Sequence, residues 1–140
     1  MIVLDTNVIS EALRPDPDSR VMAWLRLFRR RELWTSSVVL AELFSGVDLM
    51  PDGRRKQMLR EKMEQLVSML FSGQILTFDV AAARAYGSIL ASRQAMGRPI
   101  DEMDALIAAT ARACNASLAT RNIADFEHCG IPLMNPWESA

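Results

Sequence analysis

Five short apolar runs, each separated from the next by an amphipathic stretch, restrict the fold of this chain more than any other feature. Ile2-Val3-Leu4, Leu33-Trp34-Thr35, Ile75-Leu76-Thr77-Phe78, Ser117-Leu118-Ala119-Thr120 and Ile131-Pro132-Leu133-Met134 read as strands. The segments between them leave little room for hairpins, and strands joined through helices pair in parallel. The expected fold class is therefore α/β, a sandwich around a mainly parallel sheet. No repeat, low-complexity segment or linker divides residues 1–140, so one domain is expected.

Local signals place the helices. Val8 to Leu13 reads as a short helix ended by Pro15 and Pro17, and Asp18 or Ser19 caps the next, in which Val21, Trp24, Leu25 and Phe28 recur at helical spacing. Ser36 or Ser37 caps a helix over Val38 to Met50, which Pro51-Asp52-Gly53 ends, and a longer one runs from Arg54 to Leu70, stopped by Gly73. Asp79 opens an alanine-rich helix towards Met96, broken by Gly97 and Pro99. Met103 to Cys114 is almost uniformly apolar, which implies burial on most sides, and Ile123 to His128 gives one or two further turns.

Composition excludes several functions. Sixteen Lys+Arg against seventeen Asp+Glu leave a net charge of −1, too little positive field for a polybasic nucleic-acid binder. Two cysteines, Cys114 and Cys129, and one histidine, His128, cannot supply a four-ligand zinc site or a two-histidine acid–base nuclease. Asp5 follows only three apolar residues, which is incompatible with a signal peptide, and the longest uncharged stretch, Gln65 to Phe78, is too short to span a membrane. A cytoplasmic protein with reduced thiols is expected.

The acids carry the functional signal. Asp5 terminates the first strand, at the sheet edge where α/β folds bind ligands, although capping the following helix would also account for it. Glu42 lies in the otherwise apolar Val38-Val39-Leu40-Ala41-Glu42-Leu43-Phe44, where a buried carboxylate needs either an arginine or a ligand. Asp104 leads the apolar run Ala105 to Ala111, a position that the helix dipole also favours. After the fourth strand come Thr120-Arg121-Asn122 and Asp125-Phe126. Oxygen donors gathered from several strand ends repel one another without a cation, and Mg²⁺ or Mn²⁺ suits such a set. Metal activation of water is then the surviving route to phosphodiester hydrolysis.

Taken in order, these segments resemble a known family. Ile2 to Ser10 is similar to the opening motif of PIN-domain ribonucleases, Ala41-Glu42-Leu43 with Gly46 to their second motif, Asp104 to Ala111 to the third, and Leu118 to Asn122 with Asp125-Phe126 to the fourth. The final Asn135-Pro136-Trp137 and the spacing resemble the VapC toxins, in their FitB-like branch. The resemblance implies a PIN-like three-layer α/β/α sandwich and a Mg²⁺- or Mn²⁺-dependent ribonuclease toxin of a bacterial type II toxin–antitoxin pair.

By the same resemblance Asp5, Glu42 and Asp104 are the catalytic and metal-binding acids. Asn7 and Thr120 orient ligands, and Asn122 or Asp125 stands as a possible further ligand. Arg98 and Arg121 are candidates for substrate phosphate. FitB-like relatives carry an acid where this chain has Asn122, which removes one charge from the set. The implied partners are RNA, a second copy of the chain, and a VapB/FitA-like antitoxin that links the complex to operator DNA. The faces around Val47, Met50, Met58 and Met63 offer a groove for that antitoxin, since methionine adapts to irregular partners.

Other α/β readings fail on single residues. A haloacid-dehalogenase-type phosphatase needs a second Asp at the position of Asn7, and a receiver domain needs a late lysine, whereas the two lysines here are Lys56 and Lys62. A catalytically weak PIN subunit of a DNA-associated repressor complex is the alternative. Asn122 favours it, and the intact Asp5, Glu42 and Asp104 count against it.

Overall fold

The computed structural model describes residues 1–138. Within them β1 (Ile2–Leu4), β2 (Leu33–Ser36), β3 (Ile75–Leu76), β4 (Ser117–Ala119) and β5 (Leu133–Met134) form one sheet in the order β3-β2-β1-β4-β5. Every pairing is parallel, with Ile2 opposite both Leu33 and Ser117. The connections are α1 (Thr6–Ala12), α2 (Ser19–Leu25), α3 (Ser37–Asp48), α4 (Arg54–Gln65), α5 (Val80–Ala95), α6 (Glu102–Ala113) and α7 (Ile123–Phe126). All three residues of β1 are buried, as a central parallel strand requires when helices cover both faces of a three-layer α/β/α sandwich.

Cap chemistry decides where the helices begin. Asp18 Oδ1 accepts from the Arg20 amide, Ser36 Oγ from the Val39 amide at 3.1 Å, and Asp79 Oδ1 from the Ala82 amide at 2.9 Å. Asp101 caps α6 through the amides of Met103 and Asp104. Helix α1 starts at Thr6, two residues earlier than its apolar pattern indicates, because Asp5 supplies the cap itself. Helix α6 is buried from Ile107 to Ala111, and its small side chains let α5 pack closely along it.

Several expected elements come out shorter, among them the strand to Thr120, which ends at Ala119, and the turns to His128, which end at Phe126. The strand expected over Ile75 to Phe78 ends at Leu76, and that over Ile131 to Met134 begins at Leu133. Both are edge strands with a single neighbour: β2 ends at Ser36, opposite Leu76, and on the other edge Pro132 has no N–H to give the ladder. The helix expected to reach Leu70 widens over Leu66–Leu70 into a turn closed by the Phe71 amide on Leu66 O. That widening seats Phe71 in the core, and Gly73, at φ +73°, then reverses the chain into β3.

Candidate active site

The strand order places the site. From β1 the chain adds β2 and β3 on one side, then crosses to add β4 and β5 on the other, so the crevice between β1 and β4 is the topological switch point. The residue following each strand stands at that crevice: Asp5 after β1 and Thr120 after β4. They meet directly, Thr120 Oγ1 donating to Asp5 Oδ2 at 2.7 Å, while the Asp5 amide donates to Ala119 O at 2.9 Å. Asp5 Oδ1 accepts from the Thr6 amide at 2.8 Å, the capping contact expected of this acid. Asn7 Nδ2 stands 3.5 Å from Asp5 Oδ2 and 3.4 Å from Thr120 Oγ1, and its Oδ1 accepts from the Arg121 amide. Asp5 is 5 % exposed and Thr120 fully buried.

Glu42, half-buried on α3, has no arginine partner among the described residues. Its Oε1 accepts from the Thr6 hydroxyl at 2.7 Å, which hangs it beside Asp5 on the same short helix start. Sequence reasoning missed this role of Thr6. The signal was its place next to Asp5, but the contact spans 36 positions and only the fold brings it about.

Asp104 enters from the first turn of α6. Burial, and then the charges of Asp5, Asp101, Asp125 and Glu42, push its carboxyl up to about 6. Asp5 moves in the same direction, because burial outweighs the hydrogen bonds from Thr120 and Thr6, and Glu42 and Asp125 add to the rise. Asp5, Glu42, Asp104 and Asp125 therefore sense one another across the switch point. Among the described residues no three Asp, Glu, His or Cys side chains are drawn together closely enough to hold an ion. The donor set nevertheless suits a hard divalent cation, being all oxygen, with no cationic side chain among the described residues bonded to Asp5, Glu42 or Asp104.

The remaining candidates lie around this centre. Asn122 is exposed, and its amide N–H donates to Thr120 Oγ1 while its side chain makes no cap bond. Asp125 is exposed on α7. Arg121 lies over the Trp137 ring at 5.0 Å, and Arg98 pairs with Glu127 at 3.2 Å. A groove of about 770 Å³ between α1, α3 and α4 opens onto Thr6 and Glu42. Val47, Met50, Met58 and Met63 line it, with Arg14, Arg54, Arg55 and Lys62 also on its walls.

A parallel sheet with carboxylates and hydroxyls at its switch point defines a class of α/β proteins with an acidic crevice beyond the carboxyl ends of their strands. Comparison with known proteins narrows the class. The PIN domain family model matches residues 2–130. Toxin FitB of Neisseria gonorrhoeae is 42 % identical over 137 residues, covering 98 % of this chain and 99 % of its own. The VapC ribonuclease Y4jK of Sinorhizobium fredii is 40 % identical over the full length of both chains. Among solved structures, FitAB bound to an IR36 DNA fragment superposes with a TM-score of 0.93 at 41 % identity, covering 100 % of this chain and 98 % of that one. The chain belongs to the PIN-domain family, in the branch of the VapC and FitB toxins.

Proposed function

We propose that this chain is the toxin of a type II toxin–antitoxin pair, acting as a single PIN domain that hydrolyses RNA phosphodiester bonds with Mg²⁺ or Mn²⁺. What supports the reading is that Thr6 links Asp5 and Glu42 at one helix start, and that Asp104 lies close enough for the charges of both to act on it. Asp5 and Asp104 would hold the metal, with Glu42 completing the set directly or through water, and Asp125 in range to add charge. Bound there, the cation would supply Lewis acidity to activate water and positive charge to meet the phosphate.

The chain's own groups do the orienting. Thr120 and the Thr6 amide fix the Asp5 carboxylate from two sides, and Thr6 Oγ1 fixes Glu42. Asn7 ties the loop after β4 to the start of α1. Arg121, next to Thr120 in the chain, is the candidate cation for substrate phosphate. Arg98 becomes a second if its exposed pair with Glu127 opens, which costs little.

The partner reading follows from the groove and from the relatives. One relative is named as the toxin FitB, and the FitAB structure is bound to a DNA fragment. An apolar groove with cationic walls that ends at Glu42 offers an antitoxin segment a seat beside the acids. Operator DNA would be reached through the antitoxin, the resemblance implies a homodimer, and RNA as substrate implies the cytoplasm. Among the described residues no helix is long and apolar enough to cross a membrane.

Purified Asp5→Asn and Asp104→Asn variants are expected to fold but to lose Mg²⁺-dependent RNA cleavage by roughly a thousandfold, and to relieve growth inhibition. Cleavage at the parent rate by either folded variant would contradict the assignment.

A further inference from the structure

Arg93, near the end of α5, is 4 % exposed, and a guanidinium inside a protein costs several kcal/mol unless it is compensated. No carboxylate lies within ion-pair range of it among the described residues. The compensation comes from backbone instead. Nε donates to Arg98 O at 2.7 Å, and Nη1 donates to Asp125 O and Glu127 O at 3.0 Å each, with Cys129 Sγ at 3.7 Å. In return the Arg98 amide donates to Arg93 O at 2.9 Å.

The acceptors lie on two separate segments that both lead to the site. Arg98 belongs to the connection that delivers Asp101, the cap of α6, and hence Asp104 in its first turn. Asp125 and Glu127 belong to the segment following β4, and the Asp125 carboxylate is close enough for its charge to act on Asp104 and Asp5. On the surface, the Arg98–Glu127 ion pair clips the same two segments together. A fixed planar fork of donors can serve three carbonyls at once, which a single ammonium on a flexible stem cannot do in the same geometry.

We propose that Arg93 is a positioning residue whose guanidinium, by binding the carbonyls of Arg98, Asp125 and Glu127, holds the Asp104 and Asp125 carboxylates at one centre and so sets that centre's affinity for a divalent cation. The inference rests on the metal-site reading above. It separates Arg93 from a core-filling arginine, which would contribute to stability alone.

The test uses Arg93→Lys and Arg93→Gln in the full chain, with Mn²⁺ binding by calorimetry and amide exchange across residues 123–129. Both variants are expected to fold, to bind Mn²⁺ about tenfold more weakly, and to exchange faster at 125–129 while β1 is unchanged. Asp125→Asn is expected to weaken binding less in the Arg93→Lys background than in the parent, because the two residues act through one position. A parent that takes up no Mn²⁺ would overturn the metal-site reading and this inference with it. A parent that binds, with folded variants equal to it or with independent losses in the double variant, would overturn this inference alone. Failure of both variants to fold would also overturn it, by making Arg93 a core residue.

Discussion

Asp5 and Asp104 stand at the same crevice but are held in opposite ways. Asp5 is almost wholly buried, and each of its oxygens accepts a short hydrogen bond, from the Thr6 amide on one side and the Thr120 hydroxyl on the other. Asp104 is half-buried, and no hydrogen bond to its carboxylate is present among the described residues. Its surroundings are acids: Asp5, Asp101, Asp125 and Glu42 all disfavour its charge. One carboxylate is therefore a fixed anchor, whereas the other is an ionisable arm whose charge only a cation would make comfortable. The contrast says where a cation would act if the proposed site holds one: it would relieve repulsion at Asp104 without reorganising Asp5.

The largest expected effect comes from loosening the anchor. Thr120→Val removes the 2.7 Å bond to Asp5 and leaves a buried carboxylate oxygen underserved. Mn²⁺ affinity is expected to fall by about 10- to 100-fold, measured by calorimetry on the folded variant. Parent-like affinity would show that Asp5 needs no such support, and the contrast between the two acids would lose its meaning.

A smaller effect tests the arm through pH. Asp104 has a folded-state value of about 6 against an ordinary 3.8, so the folded chain holds this proton more tightly than the unfolded one. Ionising Asp104 thus opposes folding: the penalty is absent below about pH 3.8, grows as pH rises towards 6, and is complete above that. Allowing for its half exposure, the penalty is about 1–2 kcal/mol. In chelator, Asp104→Asn should therefore melt several degrees above the parent at neutral pH and close to it near pH 4. Equal melting temperatures at neutral pH would mean that the neighbouring acids do not burden Asp104.

What the sequence disclosed follows from how local each feature is. The caps were recognisable to within a residue, as Asp18 or Ser19, Ser36 or Ser37, and Asp79, because an N-cap acts on amides two or three residues away; the structure selects Asp18 and Ser36. Asp5 and Asp104 were marked by their places beside apolar runs, although a helix cap and the helix dipole also accounted for them. The partner of Glu42 did not stand out, since an arginine and a threonine hydroxyl were equally compatible with the pattern, and the fold chose Thr6. Arg93 was hidden for a related reason: it is one of two arginines, with Arg84, in an alanine-rich helix, and such cations look solvated. It continues the buried stripe of Ala82 and Ile89 at helical spacing, and that stripe was the available sign. The edge strands β3 and β5 were overextended because apolar character continues beyond the residues that find a pairing neighbour.

The central claim is that the acids at the switch point are a cation site, and titrating Mn²⁺ into the metal-free parent while following its melting temperature tests it most directly. The account predicts a rise in melting temperature that saturates with added Mn²⁺ in the parent and is lost in both Asp5→Asn and Asp104→Asn. A rise of equal size in parent and variants, or none in the parent, would contradict it.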